Sequence, residues 1–247
     1  MPKLFNQFTN KQGLIVYGGE ASSDYGIVVS EAPSFDKPTR KSTVFGVPGR
    51  NGAVLFQEDA FEDVIRSYDA FITDYDREDL VEAINGFTGM LYSKKGYQRL
   101  EDSFEPDIFR LAYFNGGQDI SNEMMQYGKT TISFVCRPER FYKDGEKEIA
   151  VSNGDSIHNY TRFEAKPLIY IEGSDSVSLS IQGQTINAEL DDYIYIDCER
   201  MNAYRTLAEN KNEDISGTFP KILPGTNGIA ITGTVTKVTI VPRYYTI

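Results

Sequence analysis

The sequence predicts a mainly β protein of two domains with a single strong α-helix. Three observations carry this reading. Runs rich in β-branched and aromatic residues recur along the 247-residue chain. Only one segment has a clear helical stripe. A charged, turn-prone stretch, YKDGEKE, followed closely by SNGDS, breaks the pattern over 142–155. The boundaries that follow are 1–145 for a β-rich N-terminal domain and 146–247 for a C-terminal β-sandwich.

Taken in order, GLIVY (13–17), YGIVV (25–29) and ISFVC (132–136) read as strands. GVPGRNG (46–52) lacks the Lys-Ser/Thr ending of a phosphate loop, so it reads as a turn between VF (44–45) and AVLF (53–56). In DREDLVEAINGF (76–87), Leu80, Ala83, Ile84 and Phe87 form one apolar stripe. The predicted helix is 77–87. Asp76 is its N-cap, Glu78 and Asp79 suit the positive end of its dipole, and Gly86 or Gly89 ends it.

Beyond the seam, short strands follow at roughly 8–12-residue spacing, as in a sandwich. In VSLSIQG (177–183), Val177, Leu179 and Ile181 alternate with polar residues, giving one buried and one wet face. YIYIDC (193–198) can pack on both faces. MNAYRTLAENK (201–211) has room for a turn or two of helix. TKVTIVP (236–242) sets Val238 and Ile240 on one side. In FPKILPGTNGIAITG (219–233), Pro220 and Pro224 hold an extended segment off the ladder, and Gly225 to Gly228 supply turn positions. Ile229 and Ile231 then resume alternation into the core.

Composition narrows the chemistry. There are 25 basic and 36 acidic residues, a net charge of −11, so nucleic acid is a poor partner. No run approaches the ~20 apolar residues of a transmembrane helix, and no secretory signal is read. Cys136 and Cys198 sit in apolar alternations and read as buried free thiols. The single histidine, His158, lies in a polar stretch and reads as an exposed or capping residue, which removes most hydrolase schemes. No zinc motif occurs. The carboxylate pairs Asp74/Asp76, Asp191/Asp192 and Glu101/Asp102 are what an acid-rich chain produces by chance. GQDISNE (117–123) lacks calcium-loop spacing. No catalytic residue, cofactor or metal site is expected, and the chain is read as a non-enzyme.

Several segments together resemble the distal tail (Dit) proteins of siphophages, phages with long non-contractile tails. They are SSDYGIVVSEAP (22–33), the turn from Val47 to Gly52, the stretch from Glu78 to Tyr92 (a helix followed by a Leu and an aromatic strand), and ISFVCRPERFYKDG (132–145). The last is Gly217, Phe219, Pro220, Leu223, Pro224, Gly225, Asn227 and Ile229 before VTIVPRYYTI. The resemblance covers nearly the whole chain, in the short form of the family. It implies a C-terminal domain like a galectin or carbohydrate-binding module. It also implies a structural hub, with the N-terminal domain assembling as a homo-hexameric ring. Implied partners are the major tail tube protein, the tail-tip protein that carries a lysin or fibre, and receptor-binding baseplate proteins. DNA only passes through the channel, there is no membrane insertion, and the location is the virion tail tip after assembly in the host cytoplasm.

Candidate ring or partner contacts are Arg40, Val44, Phe45, Val47 and Arg50, a mix of cations and apolar groups that suits interfaces. Exposed strand edges of the N-terminal half are a second candidate. The alternative function is carbohydrate binding for host surface recognition, for which Tyr170, Tyr193 and Tyr195 are the available rings and tryptophan is absent.

Overall fold

The computed structural model describes residues 13–34, 37–73, 77–116, 123–124, 128–206 and 208–247. The chain divides into two compact units, 1–140 with Ile247, and 141–246.

The first unit is a curled antiparallel sheet with a long helix packed on it. Its strands are β1 (Ile15–Tyr17), β2 (Glu20–Ala21), β3 (Ile27–Val29), β6 (Val64–Ile72), β7 (Gln98–Asp102), β8 (Ile108–Phe114) and β9 (Lys129–Tyr142). They lie in the order β2-β1-β7-β8-β9-β6-β3. Gly13, just before β1, exchanges two backbone bonds with Val29 of β3, at 3.0 and 2.8 Å. The curl therefore ties the start of β1 to β3 at the sheet's far end. It removes much of the free edge that the sequence reading offered for pairing between subunits. A separate hairpin, β4 (Arg40–Gly46) with β5 (Ala53–Phe61), leaves the sheet between β3 and β6.

The helix α1 runs Arg77–Ser93, a turn and a half past the predicted end at 87, so Leu91 and Tyr92, expected as the start of a strand, are helical. The stripe explains the difference: Met90 and Leu91 extend it at the right spacing from Phe87, and both are buried with Ile84 and Phe87. Gly86 and Gly89 therefore lie inside the helix. A Cβ on Gly86 would stand 3.1 Å from the Tyr25 ring, so Gly86 serves close packing rather than termination. The proposed cap Asp76 lies outside the described residues. Beneath α1, Phe134 meets Tyr17 at 4.9 Å, Phe114 at 5.9 Å and Tyr68 at 6.1 Å between ring centres.

The second unit is a curled, folded-over antiparallel sheet around one apolar core. Its elements are β10 (Ile149–Ala150), β11 (Ser156–Asn159), β12 (Leu168–Ile181), β13 (Gln184–Leu190), β14 (Tyr193–Asp197), β15 (Asn202–Thr206), β16 (Glu209–Asn210), β17 (Ile215–Gly217), β18 (Gly225–Val241) and β19 (Tyr245–Thr246). Two long strands organise it. The first part of β12 pairs with β14 and with the end of β18; its second part pairs with β13 and with the middle of β18. Register shifts at Glu172/Gly173 and between Ser174 and Ser178 mark the bend. Isoleucines from both parts, Ile169, Ile194 and Ile240 with Ile181, Ile186 and Ile229, enclose the core.

The bend needs glycine. Gly233 has φ 103°, and a Cβ there would lie 2.4 Å from the Ser176 carbonyl oxygen. Gly233→Ala is expected to cost at least ~1 kcal/mol through strain. A lowered urea midpoint checks this, and an unchanged one would remove the strain argument.

Two local readings are corrected. Within the stretch expected to hold helix, Asn202–Thr206 and Glu209–Asn210 are the strands β15 and β16, because Tyr204 joins the aromatic row on β14 and Ala203 fills the core. Residues 225–228 are strand, not turn: they pair with β11, Asn159 to Gly225 through Ser156 to Gly228. Only Gly225 has positive φ, 92°. The corner before it is held by the buried Asn227 side chain, whose Oδ1 accepts from Leu223 N at 2.9 Å while Nδ2 donates to the Leu223 and Gly225 carbonyls.

Candidate functional site

The β4–β5 hairpin carries the predicted contact residues. Its register places Val44 opposite Leu55 on one face, and Phe45 opposite Val54 with Thr43 opposite Phe56 on the other. Val44, Phe45, Leu55 and Phe56 are 62%, 57%, 55% and 61% exposed, and Val47 at the tip is exposed too. Both faces of the ribbon are thus apolar and uncovered. Among the described residues, β4 and β5 pair only with each other. An isolated two-stranded hairpin is marginally stable in water, and a contiguous exposed apolar surface marks an interaction site.

The two arginines differ. Arg50 sits in the tip turn, where its N–H donates to Val47 O at 3.2 Å. Gly49 and Gly52 supply the positive φ values of that turn. Arg40 lies at the base and is engaged there: it donates to Glu58 O at 3.1 Å and to Asp59 at 3.4 Å, and lies 4.5 Å over the Phe61 ring. Arg40 braces the hairpin, whereas Val44, Phe45, Val47 and Arg50 form its distal part. The reading by residue type missed Val54, Leu55 and Phe56. The signal was present in AVLF (53–56), since pairing across the turn sets those residues beside Val44 and Phe45.

The chemistry-bearing residues do not converge. His158 is exposed on β11, 3.3 Å from Thr226 Oγ1. Both cysteines are buried and free. Burial pushes the Cys136 thiol up to about 11 and the Cys198 thiol up to about 12, so neither is a reactive thiolate. Glu101 pairs with Arg99, while Asp102 turns inward to Arg66 and Tyr68. Asp74 and Asp76, and most of GQDISNE, lie outside the described residues. Asn159, which opens the glycosylation-type triplet Asn159-Tyr160-Thr161, is buried, with Nδ2 donating to the Phe163 and Ile222 carbonyls. Among the described residues no helix is long and apolar enough to cross a membrane.

In the second unit the predicted tyrosines form a row. Tyr170, Tyr195 and Tyr204 are cross-strand neighbours on β12, β14 and β15, and Tyr193 adjoins them. Tyr195 and Tyr204 stack at 5.6 Å and 18°, so each covers a face of the other. The isoleucines between these tyrosines point into the core.

No protein-family model matches the chain. No curated protein matches it by sequence. Solved structures do match. SPP1 Dit (gp 19.1), described as a paradigm of the hub adsorption apparatus in phages infecting Gram-positive bacteria, superposes with a TM-score of 0.72 at 15% identity. The match covers 95% of this chain and 99% of that one. Two structures of the phage P2 baseplate in its activated conformation, with Ca and with Sr, match at TM-score 0.49 and 10% identity, over 93% of this chain and 97% of those. Across nearly its whole length the chain has the fold of a siphophage distal tail protein, the fold that its motifs resemble.

Proposed function

We propose that the chain is a structural hub of a phage tail tip, with no enzymatic role, and that its copies assemble as a hexameric ring through the β4–β5 hairpin. The observation that carries this is the uncovered apolar ribbon on a Dit-like fold. A hairpin with two apolar faces and two unpaired strand edges gains both area and backbone bonds when it lies against a neighbouring subunit. Repeating one heterologous contact around an axis closes a ring without any chemistry. The ring would join the tail tube to the tail-tip protein and to host-adsorption proteins, with DNA passing through its centre. In this reading residues up to about 145 form the ring. The exposure of Val44, Phe45, Leu55 and Phe56 is the state of a subunit awaiting its neighbours.

Light scattering after gel filtration, over a concentration series, tests this. A species near six times the 27.8 kDa chain, ring-shaped by electron microscopy, is the expected result. Burying one such side chain contributes about 1.5–3 kcal/mol. Phe45→Asp with Phe56→Asp should therefore raise the dissociation constant at each contact at least about a hundredfold. Both positions are exposed, so the circular dichroism spectrum should not change. Arg50→Glu with Val47→Asp probes the tip in the same way. A chain that stays monomeric even with tail tube protein added, or a ring indifferent to both double variants, overturns the proposal.

A further inference from the structure

A ring built from one repeated contact needs two different surfaces on each copy, one that inserts and one that receives. The β4–β5 hairpin supplies the first, and its charge is opposite to that of the chain. From Arg40 to Gln57 it carries Arg40, Lys41 and Arg50 and no acid, whereas the chain as a whole stands at −11. Copies of so acidic a chain repel one another, so the hairpin is the part of one copy that the field of the next attracts. Its tip from Val47 to Arg50 joins two apolar side chains, Val47 and Pro48, to a cation.

The surface that matches this tip is a hollow of about 470 Å³ on the first unit. Its described lining includes Ser30 just past β3, Asp69 and Phe71 on β6, Glu123, and Lys129 and Thr131 on β9. Strand pairing sets these together, with Asp69 opposite Thr131 and Phe71 opposite Lys129. Two carboxylates against one ammonium leave the lining negative. Thr131 Oγ1 donates to Asp69 Oδ1 at 2.7 Å, and Thr130 Oγ1 donates to Glu123, so both carboxylates are held in place. Phe71 and the adjoining Ala70 set apolar surface beside the acids. Cavities of ~300–1,000 Å³ enclose drug-sized groups, and the side chains of a four-residue turn have that size. The chain's own hairpin does not fill the hollow, because Val47 and Arg50 are exposed. Asp79 and Glu82, on the exposed face of α1, stand on a convex surface that cannot enclose a tip.

We propose, resting on the hub reading, that this hollow receives the hairpin tip of a second copy, with Arg50 between Asp69 and Glu123 and with Val47 and Pro48 against Phe71. Hairpin and hollow are different surfaces, so the contact runs head to tail and repeats around a ring rather than closing as a twofold dimer.

Charge exchange in the full chain tests it. Arg50→Glu and Asp69→Arg should each weaken assembly about tenfold per contact by light scattering, and the two combined should recover part of the loss. A cysteine pair reads the same contact directly. With Val47→Cys and Lys129→Cys in one chain, a short bis-maleimide should link copies into a ladder on a denaturing gel, since Cys136 and Cys198 are buried. Absence of any ring removes the hub reading and this contact with it. A ring that dissociates in Phe45→Asp with Phe56→Asp, yet is indifferent to Asp69→Arg and gives no ladder, keeps the hub reading and overturns this contact alone. Cross-linking confined to single chains would assign the hollow to the chain's own hairpin. An intact ring that loses tail tube protein in Asp69→Arg would assign it to that partner. Either result overturns the proposal. Should Asp69→Arg fail to fold, the cysteine pair decides, and absence of a ladder from an assembled ring overturns it.

Discussion

Asp102→Ala is expected to unfold much of the first unit under conditions where the wild type is native. Asp102 is 1% exposed, and its two oxygens serve five partners. Oδ2 accepts from Tyr68 Oη at 2.8 Å and from Arg66 at 3.0 Å, and lies 3.8 Å from Arg110. Oδ1 accepts from the backbone amides of Phe104 and Glu105 at 3.0 and 2.9 Å, which shapes the β7–β8 turn. Glu105 also binds Arg66, Arg110 and Arg140. Burial first, and the Asp102 charge next, push the Tyr68 hydroxyl well above the ordinary tyrosine range, so it stays a donor. Removing Asp102 deprives two deeply buried guanidinium groups of one of their carboxylates. Such a loss costs about 3–5 kcal/mol, a large part of the ~5–15 kcal/mol that holds a domain together. Asp102→Asn keeps an acceptor for the turn amides, so the difference between the two variants isolates the turn from the charge. Hydrogen exchange at the Leu100, Ile132 and Phe134 amides reads the effect. Protection lowered by less than about 1 kcal/mol in Asp102→Ala would show that the network is dispensable.

The corresponding loss in the second unit comes from Asp197 and carries a pH signature. Asp197 is 2% exposed and accepts from Arg243 at 2.7 and 3.1 Å, and from the amides of Glu199 and Arg200 at 3.1 and 3.2 Å. Burial alone would raise its carboxyl. The Arg243 hydrogen bonds and charge, helped by the two amides, outweigh that and hold it below the ordinary value of 3.8. A carboxyl depressed in the folded state binds protons more readily when unfolded. Its stabilisation is therefore complete well above about pH 4 and is lost as pH falls through the folded value. Arg243 is partly exposed and also lies 3.7 Å from Glu199, so it can recover some solvation when Asp197 is removed. The expected cost of Asp197→Ala is accordingly about 2–3 kcal/mol at pH 7. Between pH 5 and pH 2 the wild type should lose stability more steeply than the variant. Urea titrations at several pH values measure this, and parallel acid limbs would show that Asp197 carries no such linkage.

Sequence alone determined the elements whose periodicity reports directly on burial. Val177, Leu179 and Ile181 alternate in the sequence and are buried in β12. Val238 and Ile240 do the same in β18, and Leu80 to Phe87 mark the helix. Such patterns are legible because one face of a strand or helix must leave water. The turns were less legible, for the alternation over 177–183 ran on through residues that in fact turn the chain. Gln182 and Gly183, with φ 48° and 80°, close the β12–β13 hairpin between Ile181 and Gln184, as a two-residue loop requires.

Tertiary structure decided the rest. Whether Gly86 stops a helix or admits a neighbour depends on the Tyr25 ring, which arrives from a distant part of the chain. Whether 225–228 turn or pair depends on β11, sixty-odd residues earlier. The candidate interface divides in the same way. Arg40 and Phe45 look equally available in the sequence, yet Arg40 is spent on Glu58 and Phe61 while Phe45 stands in water. The row of Tyr170, Tyr195 and Tyr204 owes its existence to register between β12, β14 and β15, and no local pattern encodes it. The physical reason is common to all of these. A periodicity states how much of a residue must be buried, and only long-range pairing states what buries it.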